Sequence, residues 1–423
     1  MDIRIKGGRL SGAIGSIPSK SEAHRALICA ALADSPTRIR LPMKNEDIDA
    51  TIGCIRAMGA EICGEDESLS VMPIKEIAEF AELNCLESGS TLRFLMPVAA
   101  ALFPKSAFSG SGSLPGRPMG ELKTALEQNG TEFSGQSLPF TVSGKLRAGK
   151  YSIAGDVSSQ YISGLLMALP LLKGDSRINL TSALCSEPYV LMTLDMLSQF
   201  KIAVKRDDKG FYVPGRQTYH SPQIVNIDGD WSAAAFFLAA GAINGDVTVK
   251  SLRMDSTQGD KAVVEILKKF GADVIIDRDT VRVKKAPLTA CSVDVSNIPD
   301  LFPILAVVAS CAKGETVLYN AKHLRHKESD RLKSVAAMIN SLGGNASEYP
   351  DRLEIIGTPL SGGTVETFGD HRIVMSAAIA AIVCKEETTI HGAEATGKSY
   401  PGFLGDFSKL GGTVLTCGRE ELL

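Results

Sequence analysis

A strongly apolar, helix-like segment recurs six times along the 423-residue chain, at intervals of about 70 residues, as a long internal repeat would. The copies begin near residues 20, 90, 158, 230, 300 and 370. Read at a period of 3.6 residues, each copy is apolar on nearly every face, which predicts a helix that is buried all round. Because one repeat cannot cover its own buried helix, the copies must pack against one another.

The same elements follow each apolar helix. A second, amphipathic helix comes first and mostly ends in Gly, as a helix C-terminus often does, although the third copy lacks the Gly. Two alternating strands around a polar turn come next, most clearly in residues 272–285. Each repeat is therefore predicted to fold as strand, helix, strand, helix and hairpin. The chain is accordingly predicted to be an α/β protein throughout.

Six repeats divide naturally into two groups of three. The sixth hairpin stops after residues 412–417, and the alternating residues 1–7 are suited to supply its closing strand. The sequence thus predicts an N-terminal lobe of three repeats over residues 16–224. The C-terminal lobe then consists of residues 225–423 together with residues 1–15.

Composition narrows the class of protein. The apolar fraction of 44% and charged fraction of 22% are ordinary for a globular protein, and the net charge of −3 comes without any basic run. These features argue against a nucleic-acid partner, and the lack of a long apolar stretch argues against a membrane partner. Without CxxC or zinc-type spacings, the cysteines predict reduced core residues of a cytoplasmic protein; they are Cys29, Cys54, Cys63, Cys85, Cys185, Cys291, Cys311, Cys384 and Cys417.

Three of the apolar helices carry cations in or near their first turn, where the helix dipole disfavours them. They are Lys20, Arg25, Arg93 and Arg372. Free backbone N–H groups beside a guanidinium form an anion site, so bound anions would reverse the penalty. Equivalent placement in different repeats favours this interpretation over unrelated ion pairs.

Several polar residues at the helix starts have a simpler explanation. Asp230 and Asp370 are expected mainly as N-caps, as are Ser90, Ser158 and Ser159 taken singly, whereas Asp300 is evenly balanced between cap and site. The Gly-rich segment 110–122, which contains Arg117, is either a phosphate-binding loop or a plain surface loop. Residues 325–335 alternate in charge and are either a solvated helix start or part of a site.

The motifs taken together resemble one family. They are "PSKSEAHRAL", "SGSTLRF", "GRPMGEL", "SSQYISGLLMALPLL", "SEPYV", "IPD", "KESDRL", "DHRIVMSAAI" and "GKSYPGF", in order over essentially the whole chain. The chain resembles the EPSP synthase (3-phosphoshikimate 1-carboxyvinyltransferase) family. The resemblance implies a two-lobed enolpyruvyl transferase fold, an inside-out α/β barrel of six βαβαββ repeats, three per lobe, closing over a cleft. It also implies transfer of the enolpyruvyl group of phosphoenolpyruvate to the 5-hydroxyl of shikimate 3-phosphate.

The resemblance further implies site residues. The shikimate 3-phosphate contacts would be Lys20, Ser21, Arg25, Ser158, Ser159, Gln160, Ser186, Tyr189, Asp300 and Lys327. The phosphoenolpyruvate contacts would be Lys20, Gly89, Arg93, Arg117, Gln160, Arg331, Arg372 and Lys398. Asp300 would act as base toward the hydroxyl and Glu328 as proton shuttle, with Lys20 and His371 nearby. Both substrates are small anions, and neither a cofactor nor a metal is expected; a cytoplasmic monomer is the default.

The sequence departs from the family's usual pattern at Glu87, Ser88 and Phe94, and at His323, where Asn is frequent. Three alternatives remain open. The sister UDP-N-acetylglucosamine 1-carboxyvinyltransferases commonly carry a Cys in the loop before the Arg-Pro pair, which residues 110–118 lack. A non-catalytic module that binds phosphorylated metabolites should lack Asp300 or Glu328. An RNA-end-processing relative should carry a basic stripe.

Overall fold

The computed structural model describes residues 1–64 and 67–416. The chain divides into two compact units: Met1–Ile17 with Asp228–Leu423, and Pro18–Ile227. The last residue of the predicted sixth hairpin, Cys417, lies outside the described residues.

The described helices alternate between strongly buried ones and amphipathic ones. They are α1 (Lys20–Ala31), α2 (Glu46–Ala57), α3 (Gly89–Leu102), α4 (Gly120–Glu127), α5 (Ser159–Ala168), α6 (Glu187–Gln199), α7 (Trp231–Asn244), α8 (Val263–Lys269), α9 (Phe302–Ser310), α10 (Arg331–Ser341), α11 (His371–Ala381) and α12 (Phe403–Lys409).

The strands are short. They are β1 (Ile3–Lys6), β2 (Leu10–Gly15), β3 (Thr37–Arg40), β4 (Glu61–Cys63), β5 (Ser68–Met72), β6 (Phe80–Asn84), β7 (Lys105–Ser109), β8 (Thr131–Phe133), β9 (Phe140–Gly144), β10 (Lys150–Ile153), β11 (Ser176–Leu180), β12 (Lys205–Asp207), β13 (Gly210–Val213), β14 (Ile224–Asn226), β15 (Gly245–Lys250), β16 (Asp273–Asp277), β17 (Thr280–Lys284), β18 (Val293–Asp294), β19 (Glu315–Tyr319), β20 (Asn345–Glu348), β21 (Leu353–Ile356), β22 (Gly363–Val365), β23 (Thr388–Ile390) and β24 (Thr413–Thr416).

Within the described residues the strands form six four-stranded sheets, three in each unit. In the sheet ordered β6-β7-β9-β8, β6 pairs parallel with β7 across α3, and the hairpin of β8 and β9 returns antiparallel against β7. A parallel pair needs a long crossover, which the buried helix supplies. The predicted repeat of strand, helix, strand, helix and hairpin is confirmed.

Three sheets are completed by strands from distant parts of the chain. β14 pairs parallel with β3 and so supplies the first strand of the first repeat, with Val225 opposite Ile39. β2 pairs parallel with β15 and does the same for the fourth repeat. β1 lies between β23 and β24, antiparallel to both, and completes the sixth. Exposed strand edges invite unwanted pairing, and these exchanges leave each sheet with its full four strands.

The predicted helices are confirmed, and their ends follow the local chemistry. Five of the amphipathic helices are followed by a glycine in the left-handed region, for example Gly59 at φ 104° and Gly271 at φ 94°. This backbone conformation costs glycine little, which is why it closes so many helices. In the third repeat, Lys201 adopts φ 63° at the same place.

The cysteines are only partly core residues. Cys29, Cys54, Cys85 and Cys384 are buried, but Cys185, Cys291 and Cys311 are half-buried and Cys63 is exposed. The prediction of a core position is therefore wrong for Cys63, which faces solvent because it alternates with the buried Ile62 along β4. In the described part of the chain, no helix combines the length and apolarity that a bilayer crossing requires.

One buried ammonium ties α4 to the hairpin that follows it. Lys123 is 2% exposed, donates to the carbonyls of Gly135 and Gln136 at 2.7 and 2.8 Å, and lies 3.7 Å from the centre of the Phe140 ring. Burial lowers the pKa of Lys123 to about 8. A cation held by carbonyls and an aromatic face is partly compensated for its lost hydration.

This lysine gives stability a distinct pH dependence. Because the pKa is lower in the folded state, the unfolded chain binds more protons between about pH 8 and the ordinary lysine pKa of about 10.4. We expect the urea midpoint of the unit that contains Lys123 to rise through that window, and the rise to flatten in Lys123→Met. Lys105→Met, at an exposed strand position, is the matched control and should keep the rise.

Candidate active site

The start of α1 places Lys20 in the first helical turn for a local reason. Ser19 caps the helix by accepting from the Glu22 N–H, so Lys20 and the residues after it begin the first turn. Lys20 Nζ lies 2.6 Å from Asp47 Oδ2, with both side chains about 13% exposed. Sequence reasoning missed Asp47, because an acidic residue in the first turn of α2 is ordinary for a helix start.

Arg25 is a buried cation whose direct hydrogen-bond acceptors are all neutral. Its Nε donates to Thr193 Oγ1 at 2.7 Å, Nη1 to the Ser21 carbonyl at 2.5 Å and Nη2 to the Tyr189 carbonyl at 2.8 Å. The side chain is 2% exposed, and burial lowers the pKa of Arg25 to about 10. A buried guanidinium held only by neutral groups keeps its charge available to an anion.

The start of α6 meets the start of α1 at these contacts. Ser186 precedes α6, is 5% exposed and adopts φ 55°, a conformation that non-glycine residues rarely take. Its side chain makes no capping bond to the helix. Tyr189 lies in the first turn and turns its carbonyl to Arg25. The predicted residues Ser21, Arg25, Ser186 and Tyr189 thus lie on two helix starts joined by Arg25.

A second cationic cluster surrounds the start of α3. A Cβ on Gly89 would lie 2.7 Å from Arg117 Nη1 and 3.1 Å from Arg93 Nη1. The Gly-rich loop therefore brings Arg117 to the helix start, which favours a phosphate-binding loop over a plain surface loop. Guanidiniums beside the N–H groups of a helix start form a place that suits an anion.

The start of α5 completes this cluster. Ser158 caps α5, and Ser159 is its first residue. Gln160 accepts from Arg93 Nη1 at 2.7 Å through Oε1 and donates through Nε2 to Ser90 Oγ at 2.7 Å. The amide therefore orients both the arginine and the start of α3.

Gly89→Ala should test this geometry directly. The added methyl would push against Arg117 Nη1 and Arg93 Nη1, so we expect an anion at this helix start to bind about ten-fold more weakly, the usual effect of losing one good polar contact. Isothermal titration with phosphoenolpyruvate measures it. Gly116→Ala, where an added Cβ meets nothing within 4 Å, is the control; equal affinity in both variants would contradict the site.

In the other unit, Arg331 is surrounded by carboxylates. It is 1% exposed, and it donates from Nε to Asp370 at 3.0 Å, from Nη1 to Asp300 at 2.8 Å and from Nη2 to Glu328 at 2.8 Å. The acids raise the pKa of Arg331 above its ordinary value, although burial opposes them. A solvated helix start is therefore wrong for this segment, since its central arginine is buried.

Asp300 joins this cluster to the start of α11. Its Oδ2 accepts from Arg372 Nη2 at 2.8 Å while Oδ1 accepts from Arg331. Burial would raise the pKa of the Asp300 carboxyl, but Arg372, Arg331 and Lys327 outweigh it and hold the pKa below its ordinary value. Asp300 does not cap α9, whose N-cap is Leu301 without a side-chain bond. The carboxylate thus belongs to the cluster.

The remaining predicted residues lie around the same elements. Lys327 follows the 3-10 turn before α10, and its charge acts on Asp300. Lys398 donates to the Gly369 carbonyl at 2.9 Å, just before Asp370. His371 is 2% exposed at the start of α11. His323 is buried, and burial, followed by Lys327 and Arg331, lowers its pKa to about 3, so it is a neutral imidazole.

Two further aspartates at helix starts have different roles. Asp230 caps α7 by accepting from the Ala233 N–H at 2.8 Å, as predicted. Asp370 caps α11 and also accepts from Arg331, so capping was only half of its role. Asp260, which the sequence did not reveal, is buried, hydrogen-bonded to Ser232, and has its pKa raised to about 7 by burial and by Asp300.

No set of three or more His, Cys, Asp or Glu side chains within residues 1–64 and 67–416 is arranged to hold a metal ion. The expectation that neither metal nor cofactor is needed stays a prediction.

Two units of three βαβαββ sheets, with cations at the starts of buried helices, define an enolpyruvyl transferase fold. A solved structure titled as the enolpyruvyl transferase NikO of Streptomyces tendae has the same fold at TM-score 0.80, with 18% identity over 100% of this chain and 99% of that one. An EPSP synthase structure from Acinetobacter baumannii matches at TM-score 0.82 and 26% identity, over 98% of this chain and 100% of that one.

Sequence comparison then specifies the family. The family model described as EPSP synthase (3-phosphoshikimate 1-carboxyvinyltransferase) matches residues 5–407. A relative of that name from Methanocorpusculum labreanum is 40% identical over 100% of both chains. Another from Clostridium kluyveri is 41% identical over 97% of this chain and 98% of its own. The chain belongs to the EPSP synthase family.

Proposed function

We propose that the protein transfers the enolpyruvyl group of phosphoenolpyruvate to the 5-hydroxyl of shikimate 3-phosphate, releasing phosphate, as a step toward chorismate and aromatic amino acids. Two observations carry the proposal: one unit presents cation-rich helix starts, and the other contains a carboxylate cluster. The first suits two phosphorylated carboxylic acids, and the second suits proton transfer. Family membership and relatives at about 40% identity over the full chain support the same reaction.

Shikimate 3-phosphate is assigned to the cluster around Arg25. The carbonyls of Ser21 and Tyr189 accept from this guanidinium, whose direct partners are neutral. Lys20 and Ser186 belong to the same two helix starts. An incoming phosphate gains a charge-assisted bond there without displacing an internal carboxylate. Residues assigned to the same ligand from elsewhere in the chain are Ser158, Ser159, Gln160, Asp300 and Lys327.

Phosphoenolpyruvate is assigned to the start of α3. Arg93 and Arg117 converge on Gly89, whose missing Cβ leaves room for an anion against the helix N–H groups. The other residues assigned to this ligand are Lys20, Gln160, Arg331, Arg372 and Lys398. Fixed guanidiniums also stabilise the phosphate as it departs, without the need for a metal.

The carboxylates divide the proton transfers. The 5-hydroxyl loses a proton as its oxygen attacks C2 of phosphoenolpyruvate, and the methylene carbon gains one, which gives a tetrahedral adduct. Asp300 is the base toward the hydroxyl, and Glu328 carries the proton to the methylene carbon and takes one back as phosphate leaves. Lys20 stabilises the developing charge. The guanidiniums weaken Asp300 as a base, and a phosphate that shares Arg372 restores part of its basicity.

Phosphate release tests the function. The purified protein should release phosphate only when both substrates are present, and the acceptor product should gain the mass of an enolpyruvyl group. UDP-N-acetylglucosamine in place of shikimate 3-phosphate should give no release. Release with that acceptor alone would transfer the assignment to the sister reaction, and binding of both anions without turnover would leave a non-catalytic module. We also propose that the protein is a monomer located in the cytoplasm. Sedimentation of the pure protein checks that it is a monomer.

A further inference from the structure

A buried chain of hydrogen bonds joins three helices beneath the start of α3. His24 Nδ1 lies 2.7 Å from Thr51 Oγ1, Thr51 Oγ1 lies 2.7 Å from Thr91 Oγ1, and Thr91 Oγ1 lies 2.7 Å from Ser88 Oγ. The four residues come from α1, α2, α3 and the N-cap of α3. This series of hydrogen bonds therefore runs from the helix that carries Arg25 to the turn that precedes Gly89.

These four residues are sealed from solvent. His24, Thr51 and Thr91 are 0% exposed and Ser88 is 1% exposed. Burial, followed by the charges of Lys20 and Arg25, holds the pKa of His24 well below its ordinary value, so the ring is neutral. Its Nε2 has no hydrogen-bond partner. A neutral imidazole carries one N–H, and its position sets which way every proton in the chain points.

The protons in this series of hydrogen bonds can point in either of two directions, toward Ser88 or toward His24. Ser88 Oγ already accepts from the Thr91 N–H at 3.2 Å as the helix cap. Thr91 Oγ1 lies 3.4 Å from the Asp47 carbonyl, which is beyond ordinary O–H···O length, so its proton goes along the chain. If His24 donates from Nδ1, the chain runs toward Ser88 and leaves the Ser88 proton for an outside acceptor. In reverse, Ser88 donates inward and a buried Nε2–H is left without an acceptor.

Physical chemistry favours the first direction when an anion is present. An orphaned buried N–H is among the rarest features of folded proteins, and a bare nitrogen lone pair costs less. The start of α3, with Arg93 and Arg117 beside Gly89, is where an anion would accept the Ser88 proton. Phe94 holds the arrangement in place, since its ring meets His24 edge-on at 6.4 Å and lies 4.9 Å from the Arg25 guanidinium carbon.

We propose that His24, Thr51 and Thr91 are positioning residues that orient the Ser88 hydroxyl as an additional donor to the anion bound at the start of α3. The inference rests on the proposed function in taking phosphoenolpyruvate as that anion. His24 is the distant end of the chain and touches no substrate.

Kinetics of variants of similar size test whether the series of hydrogen bonds orients the Ser88 hydroxyl. Thr51→Val and Thr91→Val each remove one hydroxyl, and we expect the KM for phosphoenolpyruvate to rise about five- to ten-fold because one donor to a charged ligand is lost. The KM for shikimate 3-phosphate and kcat should stay within about two-fold of the parent, and Thr91→Ser should restore the parent KM. Thr131→Val is the matched control, since Thr131 is buried in the same unit and its hydroxyl has no partner.

An unchanged KM for phosphoenolpyruvate in well-folded Thr51→Val and Thr91→Val would overturn the proposal. Equal rises in both KM values, or the same rise in Thr131→Val, would also overturn it, since either result indicates a merely structural role. Failure of the parent protein to turn over both substrates would instead count against the proposed function.

Nitrogen NMR of the intact protein gives an answer that does not depend on turnover or on a variant. With ¹⁵N-labelled histidine and saturating phosphoenolpyruvate or inorganic phosphate, His24 should carry its proton on Nδ1, with Nε2 bare. Contacts with the Phe94 ring identify the His24 signal. A proton on Nε2 in the anion-bound protein would reverse the chain and refute the inference.

Discussion

Asp300→Asn should lower kcat by about 10²- to 10⁴-fold, the range that a positioned general base contributes. The substitution keeps the size of the side chain but removes the charge between Arg331 and Arg372, both of which now donate to it. An amide cannot take the proton of the 5-hydroxyl. Glu328→Gln should produce a loss in the same range, because no carboxyl would then carry the proton to the methylene carbon. Phosphate release under saturating substrates measures both.

The two variants should differ in their partial reactions. Exchange of solvent deuterium into the methylene group of phosphoenolpyruvate should fail in Glu328→Gln more completely than in Asp300→Asn, because only the first loses the proton donor to carbon. Asp246→Asn removes a carboxylate that pairs with Arg282 at 2.7 Å on β15 and β17, so it is the matched control. Full activity in both site variants would refute the assigned roles.

Arg331→Met should destabilise its unit by about 3–5 kcal/mol, the usual cost of leaving buried charges without their partner. The change strips three carboxylates, on Asp300, Glu328 and Asp370, of the guanidinium that now binds them all. It should also abolish turnover, because Asp300 and Glu328 lose their shared anchor. Urea unfolding followed by circular dichroism gives the stability change.

A pH series separates this mechanism from simple loss of packing. The pKa of Asp300 is held low partly by Arg331, so in the parent this carboxyl stabilises the fold at neutral pH and loses that contribution as pH falls. In Arg331→Met the carboxyls must be protonated to be tolerated, so the gap to the parent should narrow below about pH 5. Arg282→Met breaks an exposed, solvent-screened pair and should leave the stability nearly unchanged at every pH. A gap for Arg331→Met that is independent of pH would contradict the charge argument.

Much of the fold could be predicted because its signals are local. The 3.6-residue period of the six apolar helices, the alternation of the hairpins and the glycines after the amphipathic helices each depend on neighbouring residues alone. Capping by Asp230 was predictable for the same reason. The pairing of β1 with the sixth hairpin was predicted from the alternation of residues 1–7. The pairings of β14 with β3 and of β2 with β15 were not, because hydrogen bonds between strands 186 and 235 positions apart leave little trace in either sequence.

The candidate site shows even more clearly the difference between features that neighbouring residues determine and features that distant residues determine. Arg25 and Arg331 look alike in the sequence, as cations near the starts of helices, and both are buried. One is held by carbonyls and a hydroxyl, the other by three carboxylates. Asp47 and Asp260 carried no signal at all, since an acid at a helix start is common.

The sequence by itself determined the repeat, the helices and the cations at their starts, because side-chain period and turn chemistry act over a few residues. Only the tertiary structure decided which strands complete the sheets of the first and fourth repeats, and which cations keep their charge for a ligand. The reason is that a charge's effect depends on what lies within a few ångströms of it, and those neighbours, such as Thr193 beside Arg25, are supplied by the fold from far along the chain.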